Sequence, residues 1–178
     1  MAAAVAQIPN ALTVLRLLLI PVFVMLLLQA DGDASWPGGL VFAACGITDQ
    51  LDGWLARRWQ VESAFGKFAD PLADRLTIDA AVVVLVVVDR LPWPALAVIL
   101  ARDALLVGGY RLVMPRGYEF SVSFLGKVAT WVLYASIAFV MVTSDGTEWP
   151  LVLFWTGLLL ALLAAAFYVA GAARTVQR

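Results

Sequence analysis

The sequence predicts an all-α, polytopic membrane protein with six transmembrane helices. Of its 178 residues, 63% are hydrophobic and only 14% are charged, whereas a soluble domain carries about 25% charged residues. The mean hydropathy is +0.91, and apolar stretches long enough to span a bilayer recur along the chain. The length allows one domain, over residues 1–178.

The six predicted helices are separated by segments rich in Gly, Pro and Asp, which favour turns. The first apolar run is predicted to be a retained helix, because residues 1–7 lack a basic segment and no small-residue cleavage site follows the run. Tryptophans, which favour the membrane interface, fall at predicted helix ends: Trp36, Trp93 and Trp149. We place the helices at Ala11–Leu28, Gly39–Leu55, Leu72–Val88, Pro94–Leu112, Phe124–Val142 and Pro150–Ala170.

The distribution of Lys and Arg predicts the orientation of these helices. Basic residues concentrate between helices 2 and 3, between helices 4 and 5, and in the tail. The alternate loops carry acidic residues, with Arg90 as their only base. Under the positive-inside rule, both termini and the two basic loops are expected on the cytoplasmic side of a bacterial inner membrane.

Four aspartates lie in or beside the apolar stretches. Carboxylates near the hydrocarbon region are costly, so a group of four must be neutralised. On helices, the first two are spaced i,i+3 and the last two i,i+4, so each pair shares one helical face. Two such faces turned toward each other form an all-oxygen cage that suits Mg²⁺ or Mn²⁺. The predicted site lies at the cytoplasmic ends of helices 2 and 3 and comprises Asp49, Asp52, Asp70 and Asp74.

The chain contains no histidine and one cysteine, Cys45. Without histidine there is no Ser-His-Asp triad, no phosphohistidine intermediate and no His-ligated zinc site. A single cysteine in an apolar run excludes a disulfide and a thiolate metal site, and favours a small buried residue. Any general base is therefore a carboxylate, Lys, Tyr or Cys.

Two segments of the chain resemble a known enzyme family. The string from Asp49 to Asp74 matches D-x-x-D-G-x-x-A-R-x8-G-x-x-x-D-x-x-x-D, the signature of the CDP-alcohol phosphotransferases. Upstream, Pro9-Asn10-Ala11-Leu12-Thr13-x-x-Arg16 resembles the branch of that family with glycerol-type acceptors. The resemblance implies a membrane enzyme, typically homodimeric, that transfers a phosphatidyl group from CDP-diacylglycerol to an alcohol or phospholipid and releases CMP. It implies no nucleic-acid partner.

The resemblance also implies roles for individual residues. Asp49, Asp52 and Asp70 match metal ligands, and Asp74 matches the general base, which can also touch a second metal. The positions that would contact the nucleotide and CDP-lipid are Asn10, Thr13, Arg16, Asp49, Asp52, Gly53, Ala56, Arg57, Gly66 and Asp70.

Structural alternatives exist for these positions. The small residues can serve helix packing, and Arg57 can be a topological anchor. Arg16 can be a snorkelling side chain with Asn10 as a helix cap. The aspartates can be neutralised by nearby bases alone, namely Arg57, Arg58, Lys67 and Arg75.

Basic residues beyond the signature are candidates for binding the acceptor. Lys127 follows Gly126 in a Gly-Lys-x-x-Thr setting similar to that of family members, and Arg102 stands beside Asp103 in an apolar helix. Alternatively, Arg102 and Asp103 form ion pairs and the other bases set the topology. The full predicted acceptor set is Arg102, Arg111, Arg116 and Lys127.

Short segments around Arg102 and in the tail, Ala173-Arg174-Thr175-Val176-Gln177, resemble CMP-forming cardiolipin synthases. They favour phosphatidylglycerol as the acceptor, with glycerol 3-phosphate as the alternative.

Two other classes of function compete with the enzyme. An ion transporter could use the Asp cluster, although the outer half of each predicted helix is apolar. A silent scaffold would not need all four aspartates.

Overall fold

The structure is a computed structural model, and over the residues that it describes the chain is entirely helical. It describes the backbone of residues 2–59, 64–113 and 124–176, and the side chains of residues 11–51, 58, 73–105 and 124–167. Six helices occur in this part, and no strand does. They are α1 (Ala2–Gln29), α2 (Trp36–Trp59), α3 (Ala64–Val87), α4 (Trp93–Val113), α5 (Phe124–Val142) and α6 (Trp149–Val176).

Each predicted helix corresponds to one observed helix, although α3 begins at Ala64 rather than Leu72 and ends at Val87 rather than Val88. Three segments of the described chain are long and apolar enough to cross a membrane: Ala11–Gln29, Phe124–Val142 and Trp149–Phe167. The other helices, α2, α3 and α4, carry acidic and basic residues within their apolar runs. The all-helical prediction is thus confirmed, while the six membrane crossings remain a prediction.

The helices α2, α4 and α6 begin with the same dipeptide, Trp-Pro. Proline suits the first turn of a helix, because its fixed φ is helical and the N–H it lacks would have no partner there. The three tryptophans are exposed, as indoles at a membrane interface would be. The sequence-based placement of Trp36, Trp93 and Trp149 at helix ends is confirmed.

The helices pack around one apolar core. α1 contacts α2 and α3, α5 contacts α2 and α6, and α4 contacts α3 and α6. The largest buried side chains include Phe23 of α1, Phe42 of α2, Leu85 of α3, Leu133 of α5 and Phe154 of α6. Cys45 is also fully buried and free, as predicted for a small core residue.

The start of α1 differs from the sequence-based expectation. α1 begins at Ala2 rather than near Ala11, because the Ala-rich opening residues are strong helix formers. Asn10 therefore lies inside the helix, and the alternative that it caps the helix is wrong. Thr13 and Arg16 are both fully buried, so this side of α1 faces the interior of the bundle.

At the Trp-Pro end of the bundle, Arg90 joins three segments of the chain. Its guanidinium donates to the carbonyl of Gly32 at 2.9 Å, of Val140 at 2.7 Å and of Thr143 at 2.6 Å. Two of these carbonyls belong to the end of α5, where a helix has acceptors without intrahelical partners and the dipole favours a cation. Arg90 therefore ties the α1–α2 turn to the end of α5.

Candidate active site

Arg16 and Asp49 form an ion pair between α1 and α2. Arg16 Nη1 lies 2.7 Å from Asp49 Oδ1, and the two side chains are 0% and 20% exposed. Asp49 follows Trp36 by thirteen residues, ~20 Å along the helix at 1.5 Å per residue. The pair thus lies far from the Trp-Pro end, toward the side predicted to be cytoplasmic.

The ion pair joins the two segments that resemble the family. Arg16, which pairs with Asp49, comes from the upstream segment that resembles the nucleotide-binding part of the family. The bases of the α2–α3 region are therefore not the sole source of positive charge for the signature acids. Arg58 is exposed, and Arg75 donates to the Asp103 carbonyl at 3.3 Å. The structure therefore brings the two resembling segments together.

Asp74 accepts a hydrogen bond from a tyrosine that the sequence had not indicated. The Tyr134 hydroxyl of α5 lies 2.7 Å from Asp74 Oδ1, and Tyr134 is only 9% exposed. Asp49 and Arg16 are also near enough to Tyr134 to act on it electrostatically. Four helices thus contribute to one polar region. The available signal was a hydroxyl within an apolar span, since a buried tyrosine usually finds a hydrogen-bond partner.

The other signature positions lie in α2 and α3, although four of them fall outside the predicted bounds of helices 2 and 3. Asp52, Gly53, Ala56 and Arg57 lie in α2, and Gly66 and Asp70 lie in α3. The helical spacing that underlies the predicted faces is therefore confirmed. Their side chains lie outside the described residues, as does that of Asn10, and their predicted contacts stay predictions.

The acids that the structure describes fit a hard divalent cation by their chemistry. Asp49 and Asp74 reach the region around Tyr134 from different helices and offer only oxygen donors, the type that Mg²⁺ and Mn²⁺ prefer. Among the described side chains, no group of three potential ligands occurs. Asp52 and Asp70 lie outside that set, so the four-carboxylate site remains a prediction.

A second group of charges links α3 and α4. Arg102 Nη1 lies 3.5 Å from Asp103 Oδ1, and both side chains are largely buried. Asp103, Arg75 and Arg102 are also close enough to Asp79 of α3 to act on it electrostatically. These contacts agree with the alternative that Arg102 and Asp103 form ion pairs, while a contact of Arg102 with the acceptor stays a prediction.

The structure describes the remaining candidates for acceptor binding in different amounts of detail. Lys127 lies in the first turn of α5 and is exposed, so its ammonium is accessible. Arg111 lies in α4, but its side chain is not among those described. Arg116 lies between α4 and α5, outside the described residues.

Comparison with known proteins identifies the family. The family model for CDP-alcohol phosphatidyltransferase matches residues 6–170. The chain is 35% identical over 145 residues to a CDP-diacylglycerol–glycerol-3-phosphate 3-phosphatidyltransferase of Bacillus subtilis, covering 74% of this chain and 75% of the relative.

Two further relatives are also similar. A CMP-forming cardiolipin synthase of Streptomyces coelicolor is 39% identical over 149 residues, covering 82% of this chain and 69% of the relative. A probable phosphatidylglycerophosphate synthase of Mycobacterium tuberculosis is 34% identical over 185 aligned positions, covering 98% and 85%. With the family match over nearly the whole chain, these relatives show that the chain belongs to the CDP-alcohol phosphatidyltransferase family, among enzymes named as CDP-diacylglycerol-dependent phosphatidyltransferases.

Proposed function

We propose that this protein transfers the phosphatidyl group of CDP-diacylglycerol to a glycerol-type acceptor and releases CMP. The observation that carries the proposal is the convergence of the two signature-bearing segments. Arg16 of the upstream segment pairs with Asp49, and Asp74 lies in the same polar region through Tyr134. A purely structural use of these residues would not require both segments to meet.

The described residues support distinct roles in the transfer. Asp74 is the proposed general base, which receives the proton of the acceptor hydroxyl. Arg16 is buried, and its positive charge suits a position facing the diphosphate of the donor. Asp49 holds Arg16 in place. Mg²⁺ or Mn²⁺, held by Asp49, Asp52, Asp70 and Asp74, would neutralise the phosphate oxygens and the departing CMP.

The acceptor is either glycerol 3-phosphate or phosphatidylglycerol. Short sequence resemblances favour phosphatidylglycerol, and the Streptomyces relative carries the corresponding name. The Bacillus relative is named for glycerol 3-phosphate, and the Mycobacterium relative is named as a phosphatidylglycerophosphate synthase. We therefore propose glycerol 3-phosphate as the first acceptor and phosphatidylglycerol as the second.

An ion transporter is less well supported by the structure. Transport would require polar groups to continue from the Asp region toward the Trp-Pro end. In the described part of the bundle, that direction is filled by Phe23, Phe42 and Ile137. The buried hydroxyls of Thr77 and Ser136 donate to carbonyls of their own helices and offer no path.

The membrane arrangement follows from the same proposal. We expect a multi-pass protein of the cytoplasmic membrane, with both termini and the active site on the cytoplasmic side, where the CDP-linked donor is available. We also expect a homodimer, as is typical of the family. Cysteine labelling of residues at the two ends in intact and opened cells tests the topology, and light scattering in detergent tests the dimer.

Identification of the lipid product tests the proposed acceptor. Purified protein is supplied with CDP-diacylglycerol and Mg²⁺, and with glycerol 3-phosphate or phosphatidylglycerol in parallel; products are identified by mass spectrometry. We expect phosphatidylglycerol phosphate from the first mixture. Cardiolipin from the second mixture alone would reassign the acceptor to phosphatidylglycerol. No product in either mixture, from protein that still binds CDP-diacylglycerol, would refute a glycerol-type acceptor.

A further inference from the structure

We propose that Tyr134 is a positioning residue for the transfer reaction, holding the Asp74 carboxylate in the orientation that receives the acceptor proton. The inference rests on the proposed function. Tyr134 donates to Asp74 Oδ1 at 2.7 Å. The hydrogen bond engages one carboxylate oxygen and so directs the acceptor hydroxyl to the other, Oδ2.

The Tyr134 ring is itself held by α2. It stacks on Phe42 with ring centroids 5.3 Å apart and an interplanar angle of 25°, and Phe42 meets Phe23 edge-on at 5.6 Å. Gly46 lies directly beside the ring, because a Cβ there would be 3.0 Å from Tyr134 Cδ1 and 3.2 Å from Cε1. The close approach of α2 fixes the ring, and the ring fixes the position of the hydroxyl.

This arrangement supplies what a base on a membrane helix requires. A carboxylate can rotate about its side-chain torsions, and a catalytic group must be held close to its productive geometry by surrounding contacts. A misplacement of 1 Å can cost about 100-fold in rate. The ring contacts of Phe23, Phe42 and Tyr134 join three packed helices. They restrain the Tyr134 hydroxyl and, through its hydrogen bond, the Asp74 carboxylate. Tyr134 is 60 residues from Asp74 in sequence and lies on α5, a helix without signature residues.

The test compares Tyr134→Phe with the wild type. This variant removes the hydroxyl and keeps the stacked ring, so the fold is expected to persist with a Tm within a few degrees. We expect kcat for CMP release to fall about 10- to 100-fold, with KM for both substrates and the Kd for CDP-diacylglycerol within twofold. A purely structural role would instead lower the Tm and substrate binding together with the rate.

A second variant keeps the hydroxyl and displaces it. Gly46→Ala places a methyl group against the Tyr134 ring, and we expect a smaller fall in kcat with binding unchanged. Gly39→Ala is the matched control, because its Cβ would likewise crowd a side chain of α5 from α2, namely Val142, but at the Trp-Pro end. It produces similar crowding without touching the Tyr134 ring, and we expect a wild-type kcat.

Several results would overturn the inference while leaving the proposed function intact. These are a Tyr134→Phe kcat within twofold of the wild type, a loss of rate matched by a loss of CDP-diacylglycerol binding, or a loss in Gly39→Ala equal to that in Gly46→Ala. Failure of the proposed function itself has a separate signature: the wild type would release no CMP with either acceptor, and the inference would fall with it.

Discussion

Arg16 and Arg90 are both buried arginines of this bundle, but they bind different kinds of partner. Arg16 is 0% exposed and pairs with the Asp49 carboxylate between α1 and α2. Arg90 has a side chain that is 7% exposed, and it donates to three backbone carbonyls, one in the α1–α2 turn and two at the end of α5. One arginine lies in the signature region and the other at the Trp-Pro end.

We propose that the difference separates a functional cation, Arg16, from a structural one, Arg90. Backbone carbonyls at helix ends need donors whatever the protein does, so Arg90 serves the fold. A buried ion pair is weak evidence for stability, because desolvation offsets most of the attraction. We therefore propose that the Arg16–Asp49 pair serves to bind a charged ligand beside it. The structural role of Arg90 also explains why this residue is present on the side of the protein predicted to face away from the cytoplasm, where the loops carry no other base.

The largest expected effect comes from changing the carboxylate that we propose as the general base. Asp74→Asn should lower CMP turnover by about 10²- to 10⁴-fold, the usual contribution of a general base. CDP-diacylglycerol binding and Tm should stay close to those of the wild type. Asp33→Asn, at an exposed acid of the α1–α2 turn, is the control. Near-normal turnover by Asp74→Asn would show that the assignment of the base is wrong.

Arg90→Lys should produce the next largest effect, on stability. A lysine keeps the charge but lacks the planar guanidinium with which Arg90 donates to three carbonyls at once. Hydrogen bonds to charged groups contribute about 1.5–3 kcal/mol each, and we expect a net loss of about 2–3 kcal/mol, measured by thermal unfolding in detergent. The kcat of the folded fraction should be unchanged. If Arg90→Lys had a normal Tm and a reduced kcat, Arg90 would serve catalysis rather than the fold.

Arg16→Lys is the matched substitution in the signature region. The ammonium can still pair with Asp49 but loses the guanidinium geometry suited to phosphate. We expect kcat/KM for CDP-diacylglycerol to fall about tenfold, which corresponds to about 1.4 kcal/mol, with little change in Tm. If Arg16→Lys were destabilised as strongly as Arg90→Lys and kept its kcat/KM, both arginines would be structural.

The smallest effect is expected at Asp145, the acidic neighbour of Arg90. Its carboxylate is 3.9 Å from Arg90 Nε and 80% exposed, and exposed ion pairs contribute little. Asp145→Asn should change the free energy of unfolding by less than about 0.5 kcal/mol. A larger loss in thermal unfolding would mean that this ion pair, and not only the three carbonyls, anchors Arg90.

Much of the fold was predictable because its signals are local. Each signal lies within a short stretch of sequence. The signals are apolar runs of spanning length, Trp-Pro at helix starts, and turn residues such as Asp31 and Gly146, which both adopt positive φ. The start of α1 was misplaced because its first turns are Ala-rich rather than strongly apolar. Local patterns therefore predict elements better than their exact ends.

The site was predictable only where residues are close in sequence or belong to the family signature. Asp49, Asp74 and Arg16 were identified in this way, and the structure brings them into one region. Tyr134 was missed because its partner, Asp74, is 60 residues away. Its role depends on how α3 and α5 pack, and no pattern within α5 encodes that packing.

CMP release by the wild type and by Asp74→Asn, measured side by side, tests the central claim most directly. Both proteins are purified in the same detergent and given CDP-diacylglycerol, Mg²⁺ and glycerol 3-phosphate, with a parallel sample lacking the acceptor. We predict acceptor-dependent CMP release by the wild type, abolished by a chelator, and almost none by Asp74→Asn. Equal release by the two proteins, or none by folded wild type with either acceptor, would contradict the account.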